Sequence, residues 1–343
     1  MNELAPAHAM KISTKQLRLG FLGVGWIGRH RMQAMLDTGL ARATVLLDPS
    51  DEMLNEARKL APDAVIAATF EDMLASGLDG IVIATPSALH AQQAIKALEA
   101  GLAVFCQKPL GRSASEVAEV VAAAKHAGRL LGVDFSYRHT AAMQRARKMI
   151  SQGALGSIFA AELIFHNAYG PDKDWFYDRT RSGGGCVVDL GVHLIDLALW
   201  TLDFPQVQDV AGKIMFKGRP LEPNSDAVED YATAALSLAS GCEVRLACSW
   251  RLNAGRDAVI EATFYGTEAT LSMRNVNGSF YDLQLEEYRG TARETLVSPP
   301  DDWGGRAAAD WVKRLAQSPL FDAACERILA SADVIDRLYA TAR

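Results

Sequence analysis

Three side chains in this 343-residue sequence have the types and spacing to move a proton beside an oxygen-bearing carbon: Lys108, Asp189 and His193. Asp189 and His193 are four residues apart, so on an α-helix they stand about 40° apart around the axis and share one face. Gly183, Gly184 and Gly185 precede them, and backbone without side chains can approach a ligand closely. Removing a hydride from a carbinol carbon requires a base for the hydroxyl proton, and histidine has the ordinary pKa nearest neutrality. His193 is therefore the expected proton acceptor, with its ionisation expected near neutrality. Lys108 follows the apolar run Ala103–Cys106. It thus stands at the carboxyl end of a strand, the side on which open α/β sheets bind ligands, where a cation would stabilise a developing alkoxide. Asp189 would orient His193 or accept a hydrogen bond from a substrate hydroxyl.

These side chains need a partner that carries the electrons, and a glycine motif supplies its site. Gly23, Gly25 and Gly28, with Trp26 and Ile27 between them, form GxGxxG directly after the strand-like run Leu17–Leu22. Gly23 suits a tight turn, Gly25 lets backbone approach a pyrophosphate at a helix N-terminus, and Gly28 allows that helix to pack closely on the sheet. Asp48 ends the next apolar run 20 residues after Gly28, where an acid hydrogen-bonds the adenosine ribose hydroxyls of a dinucleotide. A carboxylate there repels a 2′-phosphate. Pro49, Ser50, Asp51 and Glu52 offer no adjacent cation, so the expected cofactor is NAD, with NADP disfavoured.

From Leu17 to Phe135 short apolar runs alternate with amphipathic stretches, the rhythm of βαβ units and a parallel sheet. The expected strands are Leu17–Leu22, Thr44–Leu47, Ala64–Ala67, Ile81–Ala84, Ala103–Cys106 and Leu130–Phe135, and helices are expected at Ala88–Ala100 and Glu116–His126, the latter opened by the Ser113/Glu116 spacing of a capping box. After Tyr137 the rhythm changes. A helix is expected over Ala141–Ser151 and another after Gly185, but strand-like runs dominate from Ser157 to Tyr288. Val244, Leu246, Cys248 and Trp250 alternate with Arg245, Ala247 and Ser249, a period of two that suits an antiparallel sheet. Helical patterns return at Arg306–Leu315 and Ala323–Tyr339. The fold class is α/β with two domains, 15–136 for the dinucleotide and 137–343 for substrate binding and oligomerisation, the terminal helices packing back on the first.

Three segments make the pattern recognisable: Ala84-Thr85-Pro86-Ser87-Ala88-Leu89-His90, then Gln107-Lys108-Pro109-Leu110, then Gly183-Gly184-Gly185 followed by Asp189-Leu190-Gly191-Val192-His193-Leu194-Ile195-Asp196. With GxGxxG they occur in the order found in the Gfo/Idh/MocA oxidoreductase family, which the sequence resembles over most of its length and which includes glucose-fructose oxidoreductase and inositol dehydrogenases. The resemblance implies an N-terminal Rossmann domain and a C-terminal α+β domain with a large, mainly antiparallel open sheet. It implies Lys108, Asp189 and His193 as the active site, with Thr85, Pro86, His90, Gln107 and Lys108 near the cofactor. It also implies Tyr137 and Arg138 close to cofactor and substrate. Trp175, in the loop before the glycines, is a further expected pocket residue, and His166, Asn167 and Asp172 are weaker candidates. One departure stands out: where the family has Glu before Lys-Pro this sequence has Gln107, which removes a negative charge beside Lys108. The reading is an NAD-dependent oxidoreductase acting on a secondary alcohol or ketone of a sugar, inositol or related polyol. Its rivals are an NAD-dependent glycoside hydrolase using transient oxidation and a non-catalytic dinucleotide-binding regulator.

Composition narrows the partners. A formal charge of −6 supplies no broad positive field for a phosphate backbone, so nucleic acid is not expected. Met1 to Gln16 lacks the apolar core of a secretory signal, and no later run is expected to approach a membrane span, which makes the cytoplasm the expected compartment. Five cysteines, Cys106, Cys186, Cys242, Cys248 and Cys325, form no CxxC pair and read as small buried hydrophobes. No metal is expected, since Asp196 lies about 300° from His193 around a helix and no cysteine joins them. The run Ala258 to Tyr265 reads as too apolar on both faces for open solvent, so a homodimer or homotetramer through that sheet is expected.

Overall fold

Short apolar strands that alternate with amphipathic helices bury both strand faces only when helices cover the sheet on either side. The first part of the chain does this in the computed structural model, which describes residues 16–222 and 225–342. Residues 1–15, and with them the reading of a missing secretory signal and the first residue of the expected N-terminal domain, lie outside that range. Strands β1 (Leu17–Leu22), β2 (Ala41–Leu47), β3 (Val65–Ile66), β4 (Gly80–Ile83), β5 (Ala103–Cys106) and β6 (Leu131–Val133) form one parallel sheet in the order β3-β2-β1-β4-β5-β6. The connecting helices are α1 (Trp26–Leu36), α2 (Asp51–Leu60), α3 (Phe70–Leu74), α4 (Ser87–Glu99) and α5 (Ala114–Ala127). Strand order reverses between β1 and β4, which opens a crevice at their carboxyl ends. Ser113 caps α5 by accepting from the Glu116 N–H at 3.2 Å, but the Glu116 carboxylate turns to the N–H of Arg112 at 2.7 Å, so the expected capping box closes one residue early.

A turn at Ser136–His139 and helix α6 (Ala141–Ser151) lead into the second sheet. Its strands are β7 (Ile158–Asn167), β8 (Val207–Phe216), β9 (Arg219–Pro220), β10 (Tyr231–Leu238), β11 (Glu243–Ser249), β12 (Ala258–Gly266), β13 (Thr270–Asn275), β14 (Leu283–Arg289) and β15 (Ala292–Val297). They pair in the order β15-β14-β13-β12-β7-β11-β10-β8-β9, antiparallel except where β7 meets β11. On β12, Ala258, Ile260, Ala262 and Phe264 are buried while Val259, Glu261, Thr263 and Tyr265 are part-exposed. The strand is therefore not apolar on both faces. Its outer row is half polar, because the period-two pattern continues through it.

Between β7 and β8 lie a short helix α7 (Arg179–Ser182), a π-helical turn over Val187–Gly191 and α8 (Val192–Thr201). The run 179–201 is long and apolar enough, by composition alone, to cross a membrane, contrary to the sequence expectation. Its most apolar stretch is 89% buried inside the protein, where it packs under the second sheet as core.

The C-terminal helices α9 (Arg306–Gln317) and α10 (Ile328–Thr341) belong to different surroundings. Helix α10 lies along β8, α5 and α8. Helix α9 returns to the first sheet, where Trp311 packs 5.7 Å from Phe105 within the cluster formed by Leu19, Phe21, Leu46 and Val82. Two strand glycines make the room: a Cβ on Gly80 would sit 2.9 Å, and one on Gly132 2.6 Å, from the Trp311 ring. Truncating a fully buried tryptophan forfeits its transfer free energy and leaves a cavity. Trp311→Ala should therefore lower the unfolding free energy by about 3–5 kcal/mol, seen as a lower denaturant midpoint with the slope unchanged.

Candidate functional site

The carboxyl edge of the first sheet faces the second domain across a cavity of about 1020 Å³. One end of it is the glycine turn. Gly23 has φ +83°, a conformation that favours glycine, and a Cβ on Gly28 would come within 2.2 Å of the Gly23 carbonyl oxygen, so both are fixed by packing. A Cβ on Gly25 would meet nothing within 4 Å, which leaves bare backbone beside open space at the N-terminus of α1. That cradle fits a pyrophosphate, so the chain's residues suit a dinucleotide. Gly25, Trp26, Ile27 and Gly28 line the cavity, as do Thr85 and Pro86 at the start of α4; Trp26 is 61% exposed at its rim.

Asp48 is placed differently from the sequence expectation. It does not line the cavity: its two carboxylate oxygens accept the N–H groups of Val24 at 2.8 Å and Ser50 at 2.9 Å, bracing the glycine turn, while Ser50, Glu52 and Met53 form the wall. Nor is that corner free of cations. Arg29, from α1, also lines the cavity, with Nη1 2.9 Å from the Val24 carbonyl and 3.1 Å from the Met53 sulfur.

At the other end, Lys108 Nζ donates to the Asp189 carbonyl at 2.7 Å and to Asp189 Oδ1 at 2.8 Å, while Trp250 Nε1 donates to Asp189 Oδ2 at 3.0 Å. Asp189 is thereby engaged by Lys108 and Trp250; among the described residues no hydrogen bond joins it to His193, so it does not orient the imidazole. His193 lines the same cavity, is 7% exposed, and its Nδ1 is buried without a partner. Its ring lies edge-on to Tyr137 at 5.0 Å. Burial first, then the Lys108 and Arg31 cations, push His193 well below the ordinary histidine range, which corrects the expectation of an ionisation near neutrality. At neutral pH it is an uncharged imidazole, the form that accepts a proton. Burial pushes the Tyr137 phenol up and keeps it protonated.

Several other expectations need correction. Arg138 does not reach the cavity. Its guanidinium forks onto the buried Asp196 carboxylate and lies 4.8 Å over the Phe135 ring, so Asp196 is spent as an ion-pair partner. The helix wheel that put Asp189 and His193 on one α-helical face is interrupted by the π-helical turn; the two residues share the cavity, but through a widened turn of the kind often found at functional sites. Gly184 and Gly185 line the cavity, as expected of backbone that meets a ligand, and all three glycines are also required by protein contacts: Cβ atoms on Gly183, Gly184 and Gly185 would come within 2.8 Å of Arg112, 2.0 Å of Tyr339 and 2.0 Å of Glu229. His90 lines the cavity, yet its ring nitrogens both lie 2.7 Å from carbonyl oxygens, those of Pro109 and Thr85, so it ties two loops together. Trp175 and Asp172 do line the cavity, whereas His166 is stacked on Tyr231 and hydrogen-bonded to Ser249, and Asn167 caps its own turn. All five cysteines are free and buried, and the described residues hold no group of three metal-ligating side chains.

Sequence reasoning missed four contributors. Arg31 and Asp134 line the cavity beside Gln107. Asp134 could have been found, since it follows β6 as Lys108 follows β5. Trp303 and Tyr281, joined by a hydrogen bond from Trp303 Nε1 to the Tyr281 carbonyl at 2.9 Å, wall the side near Tyr137 and come from loops with no local signature.

A family model described as an oxidoreductase family with an NAD-binding Rossmann fold matches residues 17–135, and one described as a GFO/IDH/MocA C-terminal domain matches residues 143–272. D-glucoside 3-dehydrogenase of Escherichia coli strain K12 is 28% identical over 272 residues, covering 75% of this chain and 77% of that protein. Inositol 2-dehydrogenase of Acidiphilium cryptum strain JF-5 is 28% identical over 319 residues, covering 85% and 91%. A solved structure of levoglucosan dehydrogenase with NADH and levoglucosan superposes with a TM-score of 0.80 at 22% identity, over 96% of this chain and 97% of that one, which shows the shared fold.

The low-lying His193 titration is directly measurable. Imidazole resonances of His193 should report a neutral ring at pH 6.5, and Lys108→Met, which removes one of the two cations acting on it, should move the titration upward. A His193 that titrates at or above the ordinary histidine value in the unmodified protein would contradict the geometry.

Proposed function

The chain belongs to the GFO/IDH/MocA oxidoreductases, and on that premise we propose that it moves a hydride between NAD and a secondary alcohol or ketone of a sugar, inositol or related polyol. The observation that carries this reading is the uncharged His193, with an unpartnered buried nitrogen, beside the Lys108–Asp189 pair in the cavity that also holds the Gly25 turn. The nicotinamide, when bound, supplies the two-electron chemistry. The remaining work falls to the chain. Gly25, Trp26, Ile27, Gly28, Thr85 and Pro86 would hold the dinucleotide along the strand ends. His193 takes the hydroxyl proton as an alcohol is oxidised and returns it in the reverse direction. Lys108, held by both the carbonyl and the carboxylate of Asp189, presents a cation to the developing alkoxide and favours a polarised C–O bond. Trp303, Tyr281 and Trp175 supply apolar walls against which the C–H face of a polyol can pack.

NAD is favoured over NADP in this reading because carboxylates, Asp48 behind the glycine turn and Glu52 on the wall, flank the adenosine end, while the nearby Arg29 Nη1 is committed to Val24. Assembly through the outer face of the second sheet, as a homodimer or homotetramer, is part of the proposal, supported by the part-exposed row Val259, Thr263 and Tyr265. The unpaired cysteines support a reducing compartment such as the cytoplasm.

A panel of free sugars, glycosides and inositols assayed for NAD reduction tests the reading; glycoside cleavage without net NADH would favour a hydrolase instead. With a substrate in hand, His193→Ala should lower kcat by roughly two to four powers of ten while NAD affinity, measured by titration, barely changes. Near-normal kcat would remove His193 from the proton transfer. Asp48→Ala should lower the ratio of kcat/KM for NAD over NADP by about tenfold, equivalent to ~1.4 kcal/mol. An unchanged ratio would show that Asp48 braces the loop and does nothing more.

A further inference from the structure

Seven buried side-chain polar atoms among the described residues have no hydrogen-bond partner, and only two of them belong to side chains that line the cavity: His193 Nδ1 and Asp134 Oδ1. Asp134 stands just past the carboxyl end of β6, one strand beyond Gln107 and Lys108, and is 1% exposed. Its Oδ2 is occupied twice, by Arg31 Nε at 2.5 Å and Gln107 Nε2 at 2.6 Å. Those two donors fix the carboxylate from one side and leave Oδ1 unmatched. A buried acceptor without a donor is unfavourable, so the arrangement suits a donor that arrives with a ligand.

The sheet order limits what that donor can be. The glycine turn and β2 hold the pyrophosphate and adenosine half of a dinucleotide, which leaves its nicotinamide half over β4, β5 and β6. That half carries two kinds of donor, the ribose hydroxyls, which ADP-ribose shares, and the carboxamide NH2, which only the nicotinamide brings. We infer that Asp134 is a further cofactor-binding residue, whose Oδ1 accepts a hydrogen bond from the carboxamide NH2 of nicotinamide and so fixes the rotation of the ring. The inference rests on the dinucleotide reading above. It also accounts for Gln107: a glutamate there would set two carboxylates about 3 Å apart and repel Asp134, whereas the amide donates to it.

Calorimetric titration with three nucleotides tests this. ADP-ribose lacks the nicotinamide, and nicotinic acid adenine dinucleotide carries a carboxylate in place of the carboxamide. The unmodified protein should bind NAD about tenfold or more tightly than the acid analogue, whose carboxylate would face Asp134. In Asp134→Asn the new carbonyl oxygen must stay with Arg31, which can only donate, so its NH2 takes the place of Oδ1. That variant should narrow the gap between NAD and the analogue by about tenfold and leave ADP-ribose binding unchanged. Equal binding of NAD and the analogue by the unmodified protein would overturn the inference, and that comparison needs no variant to fold. Parallel weakening of all three nucleotides in Asp134→Asn would overturn it too, by reducing Asp134 to a structural role. Failure of the unmodified protein to bind ADP-ribose and NAD alike would remove the dinucleotide reading itself, and the inference with it.

Discussion

The contact between Lys108 and Asp189 joins the edge of the parallel sheet to the helix packed beneath the antiparallel one, across 81 residues of sequence. With side chains only 18% and 16% exposed, the two charges are half withdrawn from water, and such a pair is tolerable only when each member is otherwise hydrogen-bonded. The structure meets that condition. Asp189 accepts from Trp250 as well, and Lys108 finds the Asp189 carbonyl in addition to its carboxylate. The π-helical turn matters here, because a widened turn at 187–191 carries both the carbonyl and the carboxylate of one residue to the same ammonium.

What holds that turn is an acid that is itself fully buried. Glu229 Oε1 accepts the N–H groups of Gly185 at 2.8 Å and Val187 at 3.0 Å and the hydroxyl of Tyr339 at 2.8 Å, so a carboxylate from the loop before β10 caps the helix that carries the site. Burial pushes the Glu229 carboxyl up, opposed by the hydrogen bonds from Val187, Tyr339 and Gly185. The glycines before the turn are the steric condition for this cap, since a side chain on Gly184 or Gly185 would collide with Tyr339 or Glu229. The terminal helix α10 thus reaches the site through one phenol.

Electrostatics then sorts the cavity into roles. Cations from Lys108 and Arg31 act on His193, and burial acts in the same direction, so the imidazole stays uncharged where a proton must be accepted. Arg31 is itself answered by Asp134, and Asp134 in turn by Gln107. The glutamine in place of the family's glutamate therefore does not leave the strand end without negative charge. The charge stands one side chain farther away, on β6 rather than β5.

Much of this was legible from residues near one another in the chain. The spacing of Gly23, Gly25 and Gly28 specified a turn whose φ, open space and tight helix contact are those observed. The short apolar runs specified parallel strands, and the position of Lys108 after one of them placed it at the ligand-binding edge. Such features depend on backbone geometry and periodicity, which a few consecutive residues determine. Periodicity tells which face a side chain is on, but not what it meets there. Arg138 turned to Asp196 rather than the cavity, Asp48 to the glycine turn rather than the wall, and the bare backbone of Gly183, Gly184 and Gly185 is packed against Arg112, Tyr339 and Glu229. Arg31 and Asp134, 103 residues apart, meet because the Arg31 side chain on α1 reaches the residue that follows β6, a contact no local pattern announces. Those pairings belong to the tertiary structure, because a buried charge takes whichever partner the packing of distant elements leaves within reach.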